Sequence, residues 1–190
     1  VDVAAGASYD QNNGLTGTLT TAGGADIDGD ITGNLISSGT TTLAGNVSGT
    51  VAQSAGSVTV DGASTITGAV TISGGSFTAS AQTTLGAGLS NDGTLDIDAA
   101  VLGGQTLTNT KAATIGANIT GSFVQNTDAA ATTTVDGDAN VSGGLDIDTG
   151  TLTVDSALTG DVDVAAGASY DQNNGLTGNL ISSGTTTLAG

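Results

Sequence analysis

Cysteine, proline, methionine, tryptophan and histidine are all absent from this chain of 190 residues, and neither glutamate nor arginine occurs. Without cysteine there is no disulfide and no zinc–thiolate centre. Without His, Cys, Arg or Glu there is no triad base, no imidazole metal site and no guanidinium clamp, which removes most catalytic repertoires. Aromatics number four, Tyr9, Phe77, Phe123 and Tyr170, too few for an ordinary globular core of this length. No membrane span and no signal peptide stands in the window, so membrane insertion by this segment is not expected. Every acidic residue is Asp, 18 in all, against the single cation Lys111, for a net charge of −17. A surface of that sign repels phosphates, so nucleic acid and anionic membrane are excluded as partners, while cations are attracted.

Against these absences stands a repeat. Residues 162–178, VDVAAGASYDQNNGLTG, copy residues 1–17, and residues 179–190, NLISSGTTTLAG, copy residues 34–45. The first occurrence carries Thr18–Gly33 between the two pieces and the second omits it, a clean block of sixteen residues. Stacked equivalent coils tolerate such a change, because removing one whole coil lets its neighbours meet. The chain therefore reads as a solenoid of about sixteen residues per turn.

Further signs agree. Stops of the form Leu/Ile/Val-Thr/Ser-Gly recur, as at Leu15-Thr16-Gly17, Ile31-Thr32-Gly33, Val47-Ser48-Gly49, Ile66-Thr67-Gly68, Ile119-Thr120-Gly121, Val141-Ser142-Gly143, Leu158-Thr159-Gly160 and Leu176-Thr177-Gly178. Gly88 and Gly104 hold the same places with poorer matches, and the spacing between stops runs from 16 to 22 residues. Between them lies an apolar-polar-apolar-Asp unit: Val58–Asp61, Leu95–Asp98, Leu145–Asp148 and Leu152–Asp155, with weaker members at Ala25–Asp28 and Thr133–Asp136. Period-two alternation sends Val, Ile and Leu inward and Thr or Asp outward along a strand, and no stretch has helical periodicity. The fold class expected is all-β, a parallel β-helix of about 16–20 residues per rung. Residues 1–190 form one segment of a longer or polymerising repeat protein, with the duplicated module at 1–45 and 162–190. Ten or eleven rungs at roughly 4.8 Å each make a rod on the order of 50 Å long.

Carboxylates are the chemistry on offer. Asp26, Asp28 and Asp30, and the pairs Asp96/Asp98, Asp136/Asp138, Asp146/Asp148 and Asp161/Asp163, are spaced i, i+2, which along a strand places two carboxylates on one face about 7 Å apart. That is roughly the separation in inverting glycosidases, so a glycan-binding or glycan-cleaving helix using paired Asp is one alternative; it predicts a groove where such pairs meet Lys111 or a tyrosine. Calcium is the other ligand in view, because hard cations take carboxylate and carbonyl oxygens. Asp28, Asp61, Asp98, Asp136 and Asp155 each precede their rung's closing glycine by a similar interval and are the expected ligands, stacked along one edge; solvated Asp on an outer face is the plainer alternative. No copy of the calcium-binding GGxGxDxUx nonapeptide stands here.

Thr40-Thr41-Thr42, Thr106-Leu107-Thr108, Thr132-Thr133-Thr134 and Thr151-Leu152-Thr153 share a T-x-T spacing that resembles ice-binding solenoids. Ice recognition needs the pair at one position on every rung, and the uneven rung lengths argue against that. The competing expectation is threonine as a strand former whose hydroxyls bond from rung to rung. Tyr9 and Tyr170, each in A-S-Y-D-Q-N-N-G, read as a loop or corner feature.

The rungs GTLDIDAAVLGG (93–104), GGLDIDTGTLTV (143–154) and SVTVDGASTITG (57–68) resemble the repeat regions of large bacterial surface proteins, namely autotransporter passengers and filamentous haemagglutinin-type adhesins. The likeness covers the whole chain and rests on composition and rung pattern. It implies a right-handed parallel β-helix, exported and displayed at the cell surface as a stalk, adhesin or fibre, with surface glycans as candidate ligands. Both termini read as interior rungs rather than caps, so self-association end to end, or continuation of the same polypeptide, is expected.

Overall fold

Each coil is a three-sided loop whose sides follow from the sequence pattern. In the coil Thr18–Gly33 the chain runs through Leu19–Thr21, turns, runs through Gly24–Ile27, turns again and passes Ile31–Thr32 before its glycine. The computed structural model describes residues 1–126, 130–136 and 139–189. Among them about ten such turns stack into a parallel β-solenoid, and no helix occurs.

Two long sheets result. Eleven strands, from Asp2–Val3 to Leu180–Ser182, make the main path of the first sheet, and eleven more, from Ser8–Gln11 to Thr185–Leu188, make the second. Among the described residues the strands pair in parallel and, apart from the stretch Val101–Gln105, residue for residue: Leu19 lies on Leu35 and Leu35 on Val51, while Ala25 lies on Thr41 and Thr41 on Val58. Successive equivalents are 16 residues apart from Ser8 to Gly24 and 20 apart from Ala113 to Thr133. The surplus residues enter at the corners, for strands of the second sheet stay four residues long through Ser57–Val60, Ser76–Ala79 and Thr94–Ile97.

The glycine-terminated stops prove to be the short third side. Ile31, Val47 and Ile66 bridge one another there, and Leu158–Thr159 pairs with Leu176–Thr177. Glycine is needed at the following corner because coils approach closely: a Cβ on Gly68 would lie 2.6 Å from the Gly49 carbonyl carbon, too near for any real side chain. The weaker matches at Gly88 and Gly104 fall in the irregular part, where one strand, Val101–Asn109, runs from the short side into the first sheet with a register shift between Val101 and Gln105.

Inward columns form a narrow apolar core in which Leu19, Leu35, Val51, Phe77, Phe123 and Ile147 are all fully buried. Each such side chain contributes roughly 1.5–3 kcal/mol by leaving water, which offsets the entropy of ordering the coil. Tyr170 belongs to this core, 1% exposed beneath Thr186 and above Leu152, and Tyr9 packs against it. Both tyrosines are therefore strand residues and not the corner feature expected from the sequence; in Ser-Tyr-Asp-Gln, alternation turns Tyr and Gln inward.

The core also holds a polar column. The last residue of many first-sheet strands is Thr21, Ser37, Gln53, Asn91, Asn109 or Gln125, each buried and each donating to the turn that leads to the second sheet. Asn91 Nδ2 donates to Gly93 O at 2.9 Å and to Asn109 Oδ1 at 2.7 Å, and Asn109 Nδ2 to Lys111 O at 2.7 Å. These bonds satisfy turn carbonyls that would otherwise point into an apolar interior, at a penalty of about 1–3 kcal/mol each if left unpaired.

The structure makes the block of sixteen a whole coil. In the second occurrence Val162–Val164 pairs directly with Leu180–Ser182, and Ser169–Gln172 with Thr185–Leu188. Deleting Thr18–Gly33 should accordingly leave a folded, shorter rod, with a melting temperature within a few degrees of the parent, whereas deleting only Thr18–Ala25 should abolish cooperative melting by turning apolar side chains outward. Thermal melts followed by circular dichroism distinguish the two, and equal losses would contradict the whole-coil reading.

Candidate functional site

With the interior filled, chemistry resides on the outer faces and edges. The five aspartates expected along one edge do share one position, the residue after each second-sheet strand. Their backbone amides donate to the coil before: Asp28 to Gln11 O at 2.9 Å, Asp61 to Leu43 O at 3.1 Å, Asp98 to Ala79 O at 3.0 Å, Asp136 to Ile115 O at 3.0 Å and Asp155 to Val135 O at 2.7 Å. All five side chains are exposed. They do not occupy consecutive coils, however, since Ala44, Ser80 and Gly116 hold the same position between them. Only Asp136 and Asp155 sit on neighbouring coils; the others are two coils, or about 9.6 Å, apart, farther than one ion reaches with oxygens at 2.3–2.6 Å. Among the described residues no group of three or more acidic side chains converges as a metal site, and Asp138 lies outside those residues.

The i, i+2 pairs are put to varied uses. Asp30 Oδ1 accepts both the Asn46 backbone N–H and its Nδ2, each at 2.9 Å, and Asp161 Oδ1 accepts the same pair from Asn179 at 2.8 and 3.1 Å. These two carboxylates staple coil to coil. Leu95–Asp98 and Leu145–Asp148, identical as Leu-Asp-Ile-Asp, fall on different sheets, Asp96 on the outer face of the second and Asp146 on that of the first. Burial, with help from Asp98 and Asp136, raises the Asp96 carboxyl above the usual range, and burial with Asp148 and Asp163 does so for Asp146.

Asp146 and Asp163 lie side by side on adjacent coils in a groove of about 510 Å³, between Val124 and Ile181. Its lining includes neither Lys111, which stands 4.0 Å from Asp92, nor a tyrosine. Tyr9 lines a separate groove of about 420 Å³ with Asp10 and Asp26 at the N-terminal face.

A more regular feature covers the second sheet. Its two outward positions read Thr40 and Thr42, Ser57 and Thr59, Ser76 and Thr78, then Thr94 and Asp96, and later Thr132 and Thr134, Thr151 and Thr153, all in register. Neighbouring hydroxyls are about 4.8 Å apart along the rod and about 7 Å apart across it. Uneven rung length does not disturb the array, because the additions sit at corners. The Thr42, Thr59, Thr78, Thr134 and Thr153 side chains are half-buried on this outer face; of the cross-rung bonding expected of threonines, the inward Thr133 hydroxyl accepts from Asn109 Nδ2 at 3.3 Å and the Thr110 hydroxyl donates to Asp92 Oδ1 at 2.8 Å. Thr106 and Thr108 belong to the first sheet and lie outside this array.

Fold and faces together define a class: a parallel β-solenoid repeat protein with a carboxylate- and hydroxyl-bearing exterior. No family model matches the chain, and neither does any curated protein or solved structure.

The raised Asp96 and Asp146 give a pH signature. A carboxyl whose folded pKa exceeds its unfolded value binds protons more readily in the folded state, so acidification toward the raised pKa adds stability and a rise above it withdraws that stability. The melting temperature should therefore climb as pH falls from 7 toward 4.5. Asp96→Asn with Asp146→Asn should melt higher than the parent at pH 7 and gain less on acidification; parallel pH profiles for both chains would count against this.

Proposed function

We propose that this chain is a structural and adhesive rod of an extracellular bacterial fibre, surface layer or adhesin stalk, without catalysis of its own. The observation that carries the reading is the interchangeability of coils: residues 162–178 accept residues 179–189 directly, where residues 1–17 accept Thr18–Gly33, and the ladders close in both cases. A protein built this way gains length by adding coils, which suits a spacer. Its one-sign exterior keeps the rod soluble and disfavours lateral clumping. Surface glycans are the candidate ligands of the grooves and hydroxyl face, and further solenoid coils, of the same polypeptide or a second copy, the candidate partners at the ends. Calcium enters as a counter-ion of the aspartate edge, with the adjacent Asp136 and Asp155 the best placed pair. Glycan cleavage is the weaker alternative, because the groove holding Asp146 and Asp163 offers a sugar no cation and no aromatic platform.

The test is length. One, two and three head-to-tail copies of residues 1–190, displayed on a bacterial surface with an epitope at the distal end, should carry that epitope outward by on the order of 50 Å per copy in immunogold micrographs. Beads on a flexible string, with no proportional gain, would defeat the rod reading.

The in-register hydroxyl columns favour a second reading, in which the second sheet binds an ordered water lattice at an ice surface. The parent chain should then show thermal hysteresis that Thr59→Asp with Thr78→Asp removes. Absence of hysteresis in the parent ends this reading.

A further inference from the structure

Asparagine occurs twelve times in the chain, and only Asn13 and Asn174 are followed by glycine. A side-chain amide carbon beside an unshielded main-chain nitrogen is a reactive pair, and asparagine is among the residues that heat degrades. Elsewhere the fold disarms that pair from both directions. Asn46 Nδ2 donates to Asp30 Oδ1 at 2.9 Å, while the nitrogen of the next residue, Val47, donates to Thr65 O at 2.9 Å. Asn34 Oδ1 accepts from the Thr50 amide at 2.9 Å, and the Leu35 nitrogen donates to Thr50 O at 2.9 Å. Asn91 and Asn109 are buried.

Asn174 lacks this protection. Among the described residues the Gly175 N–H donates to no other coil; its acceptor is Asn174 Oδ1 at 2.9 Å. That contact sets Cγ, one bond beyond the oxygen, against the nitrogen, while the Leu158 N–H anchors the Gly175 carbonyl at 2.9 Å. The duplicated module checks the exposure of the position from opposite sides. Asn13 has the following coil, Thr18–Gly33, stacked on its module, and Asn174 has the preceding coil, 144–160; both side chains are exposed, so neither neighbour covers them. Packing demands neither glycine. A Cβ on Gly175 would meet nothing within 4 Å and one on Gly14 only Asp30 O at 3.8 Å, and neither residue has a positive φ.

We propose that Asn174, and more slowly Asn13, is a self-modifying site at which the chain converts asparagine to aspartate and isoaspartate without an enzyme. Hydroxide removes the Gly175 N–H proton, and the nitrogen attacks Asn174 Cγ. The Cγ–Nδ2 bond breaks, the leaving nitrogen takes a proton from water to depart as ammonia, and hydroxide is regenerated as a succinimide ring closes. One water then opens the ring. Addition at the side-chain carbonyl gives aspartate; addition at the main-chain carbonyl gives isoaspartate, whose backbone runs through Cβ and Cγ. Water in and ammonia out balance the change, with no oxidant or cofactor. Each event adds a negative charge one residue beyond the aspartate edge, beside Asn173, whose Nδ2 donates to Asp155 Oδ1 at 2.8 Å. Asn174 leads because its carbonyl carbon already faces the nitrogen.

The experiment ages the folded 190-residue chain in warm, mildly alkaline buffer and digests it with an endoprotease that cuts before Asp. Fragments 10–25 and 171–190 then carry the two sites, with Asn12, Asn173 and Asn179 as internal controls. Fragment 171–190 should gain the mass difference between OH and NH2, located at Asn174 by fragmentation, and fragment 10–25 should gain it later at Asn13. An isoaspartate-specific methyltransferase should label the same two positions. Gly175→Ala, for which the corner has room, should slow the change at Asn174 by an order of magnitude, with the melting temperature and the rate at Asn13 unchanged. The proposal is overturned by a folded chain that stays unmodified while a free peptide of residues 171–178 converts. Equal gains at Asn173 or Asn179, or a Gly175→Ala chain that reacts as fast as the parent, overturn it as well.

Discussion

Parallel backbone pairing at about 4.8 Å per coil is the constraint on which everything else depends. Once Leu19 lies on Leu35 and Asp26 on Thr42, each side chain has fixed neighbours above and below, and its chemistry is felt as a column. Apolar columns make a core without large aromatics. Small corner residues are required because a Cβ at Gly68 would strike the Gly49 carbonyl. Acidic columns are self-limiting, since carboxylates repeated every coil repel, and the aspartate edge is interrupted by Ala44, Ser80 and Gly116; at Asp146 burial first, and then the charges of Asp148 and Asp163, push the carboxyl upward.

Much of this was legible in the sequence, and the reason lies in the repeat. The clean omission of Thr18–Gly33 names the length of a coil without reference to any side chain, and alternation in Val58–Asp61 assigns inside and outside. What was hidden depends on neighbours in space. Leu-Asp-Ile-Asp occurs at 95–98 and at 145–148, yet only the turn that follows, Thr149-Gly150 before Thr151–Val154, marks the second copy as a first-sheet strand. The buried Asn91 and Asn109 look like loop residues in a chain read one position at a time; their role emerges only when the turn carbonyls of Gly93 and Lys111 are in place. Spacing between glycines overstated the irregularity of the coils and so hid the hydroxyl array, because the variation is confined to corners.

The carboxylates show how one residue type serves opposite ends. Asp30 and Asp161 have a backbone N–H and a side-chain amide within reach and act as staples. Asp28 and Asp61, one corner away, contribute a backbone bond to the ladder and leave the side chain to solvent. Sequence position relative to a strand end, rather than acidity, decides between a structural and a surface role.

The direction of the hydrogen bonds has a mechanical corollary. Strands lie across the rod, so the bonds between coils point along its axis. Tension applied between the two termini pulls these bonds lengthwise instead of shearing them, and it enters the rod at the free edge of the outermost coil at each end. Under such a pull the molecule should yield as a zipper does, one coil of about 18 residues at a time, each release lengthening the tether while the remaining coils stay intact.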